Sequence, residues 1–408
     1  MKHIKLTLLS PIIFSVFFSL DAVHTTKPWT FLVYIAGDNN LYPYVKLDLD
    51  EMKKIGSNEH INILAYANSG YSTAKKTEKF VVNYNELIQD GQTEVKDSGD
   101  EQTLIEALEW AINEYPSEHL AVVLWDHGSG PLNRNKLPLR GVCYDDTTGN
   151  YLTDKKIQTA LDTVIQKNRN GKKIDLVAFD ACLMANIEIA YALEPYADYM
   201  VSSQETIPGY GYEYARLLYP FLEGSITPWH LAYHMVTAYD DAYKGTRGYT
   251  LSAVELSRLE NLVEDHSALC NFLLQKSNDD TSVASACKKA ASDTLHFDEK
   301  SYIDLYDFYI NLHANRESFN FSEDELIHFE NMLIDCLNTY DGTIIKNVCS
   351  SDRAQAHGLS IYFPTSTTIE PSYEKIYWSE NTNWLPLLEK ITNKTNSILD
   401  PLFSLLNI

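Results

Sequence analysis

The stretch LVAFDACLMAN, residues 176–186, opens as an unbroken apolar run, stops at Asp180-Ala181-Cys182, and continues into small residues. With Ile174 and Asp175 in front, the run has the length and the β-branched and aromatic content of a strand buried on both faces, as in a parallel sheet covered by helices. An acid and a thiol two residues apart then fall beyond the carboxyl end of that strand. Doubly wound sheets collect ligands and reactive groups there.

The same pattern recurs outward from this stretch. WTFLVYIAG (29–37), INILAYA (61–67) and HLAVVLW (119–125) are further buried strands, 79–84 alternates like an edge hairpin, and 199–202 is a short strand. Helical spacing of apolar residues fills the intervals at 44–54, 103–115 (closed by Pro116), 153–167, about 184–193 and 228–243. Strand and helix in alternation predict an α/β fold, an α/β/α sandwich with a mostly parallel central sheet over 28–245. Beyond a soft boundary at 245–250, where YTLSAVEL is a candidate strand, residues 246–408 read as mainly helical, with a strand returning in GLSIYFP at 358–364.

Composition narrows the function classes. A chain of 408 residues can bury a large core, and its formal net charge of −23 argues against nucleic-acid binding, which calls for a basic stripe. Residues 1–22 have the layout of a secretory signal peptide: Lys2, His3 and Lys5, an apolar stretch over 6–20, then small residues up to Ala22. Export is the expectation, to the periplasm, cell surface or medium, with an uncleaved N-terminal anchor as the alternative. No later segment is long and apolar enough to span a bilayer, so no stable membrane insertion is expected once the leader is removed. The six cysteines include no C-x-x-C pair and are too scattered for a disulfide scaffold.

Two strand ends carry reactive side chains, His127 after 119–125 and Cys182 after 174–179. A cysteine nucleophile needs a neighbouring base or cation to hold it as thiolate, and histidine has a suitable pKa. Strands adjacent in one sheet would bring the two together as a dyad. Gly128 lets backbone approach a substrate and offers its N–H to a developing oxyanion. A helix after Cys182 would put the sulfur near a helix N-terminus. Asp180, one strand period before Cys182, would point to the same side and could bind a cationic substrate group, or else cap that helix. Asp126, adjacent to His127 and facing the other way, reads as structural.

These blocks in this order resemble the clostripain family of caspase-like cysteine peptidases. The resemblance rests on FLVYIAGDNNL (31–41), VLWDHGSG (123–130), LVAFDACLMAN (176–186), SSQETIPGYGYEY (202–214) and GLSIYFP (358–364), and TNWLPLLEKI (382–391) extends it. It implies that Cys182 attacks the scissile carbonyl, His127 protonates the leaving amine, and the backbone N–H groups of Gly128 and Cys182 hold the oxyanion. Asp180 would line the pocket for a basic residue, giving cleavage of peptide or protein substrates after Arg or Lys. It further implies activation by cleavage between the His and Cys segments, for which Arg134, Lys136 and Arg140 are candidate sites; an ordinary solvated loop is the alternative. The chain departs from the family at Tyr212, where Trp is frequent, and in the second pocket acid, for which Glu205 is the nearest candidate while Tyr210 stands where an acid would be unsurprising. No cofactor is implied, and although some relatives are linked to calcium, no EF-hand-like ligand spacing is present.

Two other classes compete: a catalytically inactive, exported binding or adhesion protein on the same scaffold, and a metal-dependent hydrolase using His230 and His234. The second lacks the glutamate of H-E-x-x-H and an obvious third ligand.

Overall fold

The buried runs form the centre of a nine-stranded sheet in the computed structural model, which describes residues 26–70, 75–92, 94–131, 141–278, 280 and 282–392. In chain order the strands are β1 (Lys27–Gly37), β2 (Ile61–Ser69), β3 (Lys76–Asn83), β4 (Glu86–Gln92), β5 (Ser117–Trp125), β6 (Val142–Asp145), β7 (Asn150–Leu152), β8 (Ile174–Asp180), β9 (Ala197–Ser202), β10 (Thr250–Glu255), β11 (Tyr302–Asp304), β12 (Ile344–Cys349) and β13 (Ser360–Tyr362). The sheet order is β12-β10-β9-β8-β5-β1-β2-β3-β4. Its five central strands, β9 to β2, are parallel, and an antiparallel pair closes each flank.

The continuous apolar character of β1 follows from its having two cores to fill. Trp29, Phe31, Val33 and Ile35 face one core, and Leu32, Tyr34 and Ala36 the other. The first core is covered by α1 (Tyr42–Met52), α5 (Tyr214–Leu218) and α6 (Pro228–Tyr243). The second is covered by α2 (Glu101–Glu114), α3 (Asp154–Asn168) and α4 (Ile187–Leu193), and by the later helices α7 (Leu259–Lys276), α8 (Ser282–Asp293), α9 (Leu305–Ala314), α10 (Glu323–Thr343), α11 (Tyr377–Asn381) and α12 (Trp384–Thr392). This is the α/β/α sandwich expected from the sequence.

Three details differ from the sequence expectation. The sheet crosses the soft boundary at 245–250, because β10 and β12 both extend it, so 246–408 is not built as a separate unit. The returning strand β13 pairs with β11 in a small second sheet and meets the segment after Cys182 through the Asn186–Ser360 bridge, with Ser360 N–H donating to the Ala185 carbonyl (2.8 Å) and Tyr362 N–H to Glu188 Oε1 (2.9 Å). The helix expected from about residue 184 begins at Ile187. The backbone of 183–185 instead bonds across to 203–205, through Leu183 N–H to the Glu205 carbonyl (3.1 Å) and Ala185 N–H to the Ser203 carbonyl (2.9 Å). The leader over 1–22 and the candidate processing residues Arg134, Lys136 and Arg140 lie outside the described residues.

Candidate active site

β5 and β8 are neighbours whose last residues, Trp125 and Asp180, stand opposite each other in register. The loops leaving them therefore run side by side, with Asp126 N–H donating to the Asp180 carbonyl at 3.2 Å. His127 and Cys182 meet at a cleft of about 200 Å³, with Asp180, Trp125, Asp48 and Ile207 also in its lining. Gly128 presses directly on the cysteine: a Cβ there would lie 2.3 Å from the Cys182 carbonyl oxygen and 3.1 Å from its nitrogen. The loop is pinned by Ser129 N–H to the Gly141 carbonyl (3.0 Å), a bond one residue beyond Gly128 that leaves the Gly128 N–H out of that ladder.

Cys182 sits in a turn, and Leu183 after it has φ of 61°, a left-handed conformation unfavourable for a branched side chain. Such strain persists where the surroundings over-determine it, here through the bonds to 203–205. With α4 starting five residues later, the helix dipole has decayed before it reaches the sulfur. Its place is taken by a backbone donor, the Ile207 N–H, which points at Sγ from 3.3 Å.

His127 Nε2 lies 2.8 Å from Oδ1 of Asn40, in the turn after β1. An amide oxygen only accepts, so this contact assigns a hydrogen to Nε2. The turn is tied to the histidine loop from below: Asn39 Nδ2 donates to Asp126 Oδ1 at 2.7 Å, and the Tyr144 N–H donates to the other Asp126 oxygen. Burial pushes the Asp126 carboxyl well above the usual carboxylate range, and the structural reading of this residue agrees with these bonds.

Asp180 closes the floor. Both its oxygens accept from the Tyr212 N–H at 3.1 Å, and Oδ2 accepts from the Tyr214 hydroxyl at 3.0 Å. Gly211, with φ of 63°, permits that closeness, since a Cβ there would fall 2.8 Å from the carboxylate. Burial raises the Asp180 carboxyl to about 7. Beside it lies an acid that the sequence reading did not single out. Asp48, on the buried stripe of α1, accepts from the Trp125 indole N–H at 2.6 Å; burial, then repulsion from Asp180, raises it to about 9.

Residues 33–390 match the clostripain family. The chain belongs to that family. It is accordingly a cysteine-type endopeptidase. It is 22% identical to clostripain from Hathewaya histolytica over 90% of this chain and 88% of that protein. The fold is similar to that of a secreted cysteine protease from Bacteroides thetaiotaomicron bound to an irreversible peptide inhibitor (TM-score 0.62, 23% identity, 88% of this chain and 99% of that one). It is also similar to an inactive zymogen from Parabacteroides distasonis (TM-score 0.62, 20% identity, 88% and 99%).

Other candidates fall elsewhere in this clostripain-family chain. Glu205 is not among the residues lining the cleft; it is buried against Arg353 Nε (2.9 Å) and accepts from the Thr206 and Asp298 N–H groups (3.0 and 3.1 Å). Its backbone carbonyl nevertheless holds Leu183, so it steadies the cysteine turn from behind. Tyr210 is 72% exposed, and Tyr212 turns its hydroxyl to the Phe179 carbonyl. His230 and His234 are taken up by Thr227 Oγ1 (2.7 Å) and the Arg216 carbonyl (3.1 Å). Asp48, Asn40 and Ile207 were missed. A carboxylate at a core-facing helical position, between Val45 and Met52, was the available signal for the first; the other two are loop contacts with no periodic signature.

Proposed function

We propose that this is an exported cysteine endopeptidase that cuts peptide bonds after Arg or Lys with Cys182 as nucleophile and His127 as acid and base. The observation that carries the reading is the single cleft in which Cys182, His127 and Asp180 converge. In this mechanism the Cys182 thiolate, supported by the Ile207 N–H, adds to the scissile carbonyl carbon. The resulting oxyanion is held by the N–H groups of Gly128 and Cys182. His127, turned by Asn40 so that Nε2 is occupied, passes a proton to the departing amine, the C–N bond breaks, and a thioester remains on Cys182. Water then adds to the thioester while His127 takes its proton, the C–S bond breaks, and the acyl half leaves as a carboxylic acid with the thiolate restored.

Asp180 supports the choice of a basic residue, because no Lys or Arg is among the described residues lining its cleft, and a buried carboxylate so placed is relieved by a guanidinium or ammonium group. Activation would follow cleavage at Arg134, Lys136 or Arg140. The described segments on either side of such a cut are joined by the Gly128–Val142 bridge and by Ser129 N–H donating to the Gly141 carbonyl.

The test is hydrolysis of fluorogenic peptides with Arg, Lys, Asn, Asp or Leu before the reporter, by wild type and Cys182→Ala. Turnover confined to Arg and Lys and absent in the variant is expected. Turnover after Asn or Asp would remove the role given to Asp180. Absence of turnover and of labelling by a thiol-directed peptide inhibitor would favour an inactive binding protein on this scaffold. A variant with Arg134, Lys136 and Arg140 all changed to Ala is expected to remain a single chain.

A further inference from the structure

Asp48 arrives in the cleft by a route unrelated to the catalytic loops. Trp125 and Asp180 end adjacent parallel strands in register, on the sheet face covered by α1 and α6. The Trp125 indole reaches across to α1 and holds Asp48, which brings a second carboxylate into the same cleft as the first. The two are 3% and 4% exposed, and His127 is the sole basic side chain among the described residues lining the cleft. Like charges in one desolvated site cannot both ionise without a counter-cation.

Resting on the basic-residue reading above, we propose that Asp48 and Asp180 act as one acid pair that retains a proton in the empty enzyme, and that the cationic side chain of the substrate displaces this proton. The substrate stays a cation throughout, and the proton leaves for solvent. Asp48 is then a specificity residue: it supplies the second negative charge that the pocket expresses only when a cation is bound.

The surrounding groups are consistent with this. From α1, Glu51 adds a third carboxylate, bonded to the Tyr214 N–H at 2.9 Å and raised by burial. Tyr212, Tyr214, Tyr239 and Tyr243 face the pair from the α5 and α6 side with phenols pushed upward by burial, so they stay neutral through the working range. From the catalytic loops come Asp126, whose bonds are described above, and the working pair His127 and Cys182. The dyad titrates too and therefore has to be separated from Asp48 by experiment.

Two measurements do this. KM for an Arg substrate, and the competitive inhibition constant of its neutral citrulline counterpart, are followed from pH 5 to 9 in wild type and Asp48→Asn, whose side-chain oxygen can still accept from Trp125. Wild type is expected to bind the Arg peptide more tightly as pH rises toward the pair's titration, by up to about tenfold per pH unit, with citrulline flat. Asp48→Asn should lose that slope and at least about tenfold of the Arg-over-citrulline preference. Independently, calorimetric titration of Cys182→Ala with an acetylated peptide ending in argininamide, in buffers of different ionisation enthalpy, should show about one proton released, and the Asp48→Asn double variant none. A variant keeping the wild-type slope, preference and proton release overturns the role of Asp48 while leaving Arg and Lys cleavage standing. A wild type with no preference for Arg over citrulline removes the basic-residue reading itself.

Discussion

Replacing Gly128 with alanine tests the oxyanion assignment most directly, because the perturbation is steric and can be measured off the backbone. The φ of Gly128 lies outside the left-handed region, so alanine meets no backbone penalty there. Its Cβ, however, would fall 2.3 Å from the Cys182 carbonyl oxygen, and side-chain carbons do not come within 3.0 Å of other atoms. The Gly128 and Cys182 backbones must therefore part by about 0.7 Å, which changes the spacing of the two N–H groups proposed to hold the oxyanion. Catalytic constellations tolerate about 0.5 Å, and loss of one oxyanion donor costs about 10²–10³ in kcat. A fall of about 10² in kcat is expected, equal to about 2.7 kcal/mol of barrier. KM should change little, because the interaction forms mainly in the transition state. The assay is steady-state hydrolysis of an Arg reporter peptide, normalised by active-site labelling, with thermal melting as the folding control. A folded Gly128→Ala variant that labels normally and keeps kcat within threefold of wild type would refute the reasoning.

Asn40→Ala should lower kcat by about tenfold with KM retained, since it frees the imidazole to turn. Asn40→Asp instead puts an anion beside His127, favours the imidazolium, and should move the alkaline limb of the kcat/KM profile up by about one pH unit; an unmoved limb would exclude Asn40 as the positioning residue. Arg353→Ala leaves the buried Glu205 carboxylate without its cation. It should cost on the order of 2 kcal/mol, below the usual cost for a fully buried pair because Arg353 is 26% exposed. It should also slow alkylation of Cys182 by iodoacetamide, since the 203–207 segment carries the Ile207 donor; unchanged alkylation would separate Glu205 from the nucleophile. Glu188 is buried beneath Tyr362 and Tyr373 and raised by burial from 4.5 to about 7. The folded state thus holds a proton that the unfolded chain has released, so stability is greatest below about 4.5 for this group and falls as pH rises to 7. Glu188→Gln should flatten that fall by up to about 3 kcal/mol between pH 5 and 8 in urea melts, and identical pH slopes would contradict it.

The fold was legible because the signal was long and redundant. β1, β5 and β8 must satisfy two cores at once, which forces apolar residues at every position and distinguishes them from half-exposed strands. The proposed dyad was placed for a related reason: His127 and Cys182 interrupt those runs at their ends, where the topology of a parallel sheet brings loops together, and the structure sets both in one cleft. β12 left no such trace. It is an edge strand of intermediate burial throughout, continuing directly from α10, so its pattern has neither strict alternation nor a continuous apolar run.

The acids show where local pattern stops being informative. Glu205 follows the catalytic segment in a family-like block, and that neighbourhood in sequence favoured it as a pocket acid. Its carboxylate instead finds Arg353, 148 residues away, and is neutralised there. Asp48 lies in a helix, 77 residues from the indole that holds it, and no Lys or Arg is among the described residues lining its cleft. What makes an acid useful to a cationic substrate is the lack of any other counter-charge, and counter-charges are set by tertiary contacts that spacing does not encode. The turn at Leu183 makes the same point for the backbone. ACLMAN has residues that tolerate a helix, but the carbonyls of Ser203 and Glu205 compete for the same N–H groups and hold Leu183 at positive φ. Local propensity yields there because several hydrogen bonds outweigh a strain of about 1–3 kcal/mol, and the sulfur is presented to the cleft by that strained turn.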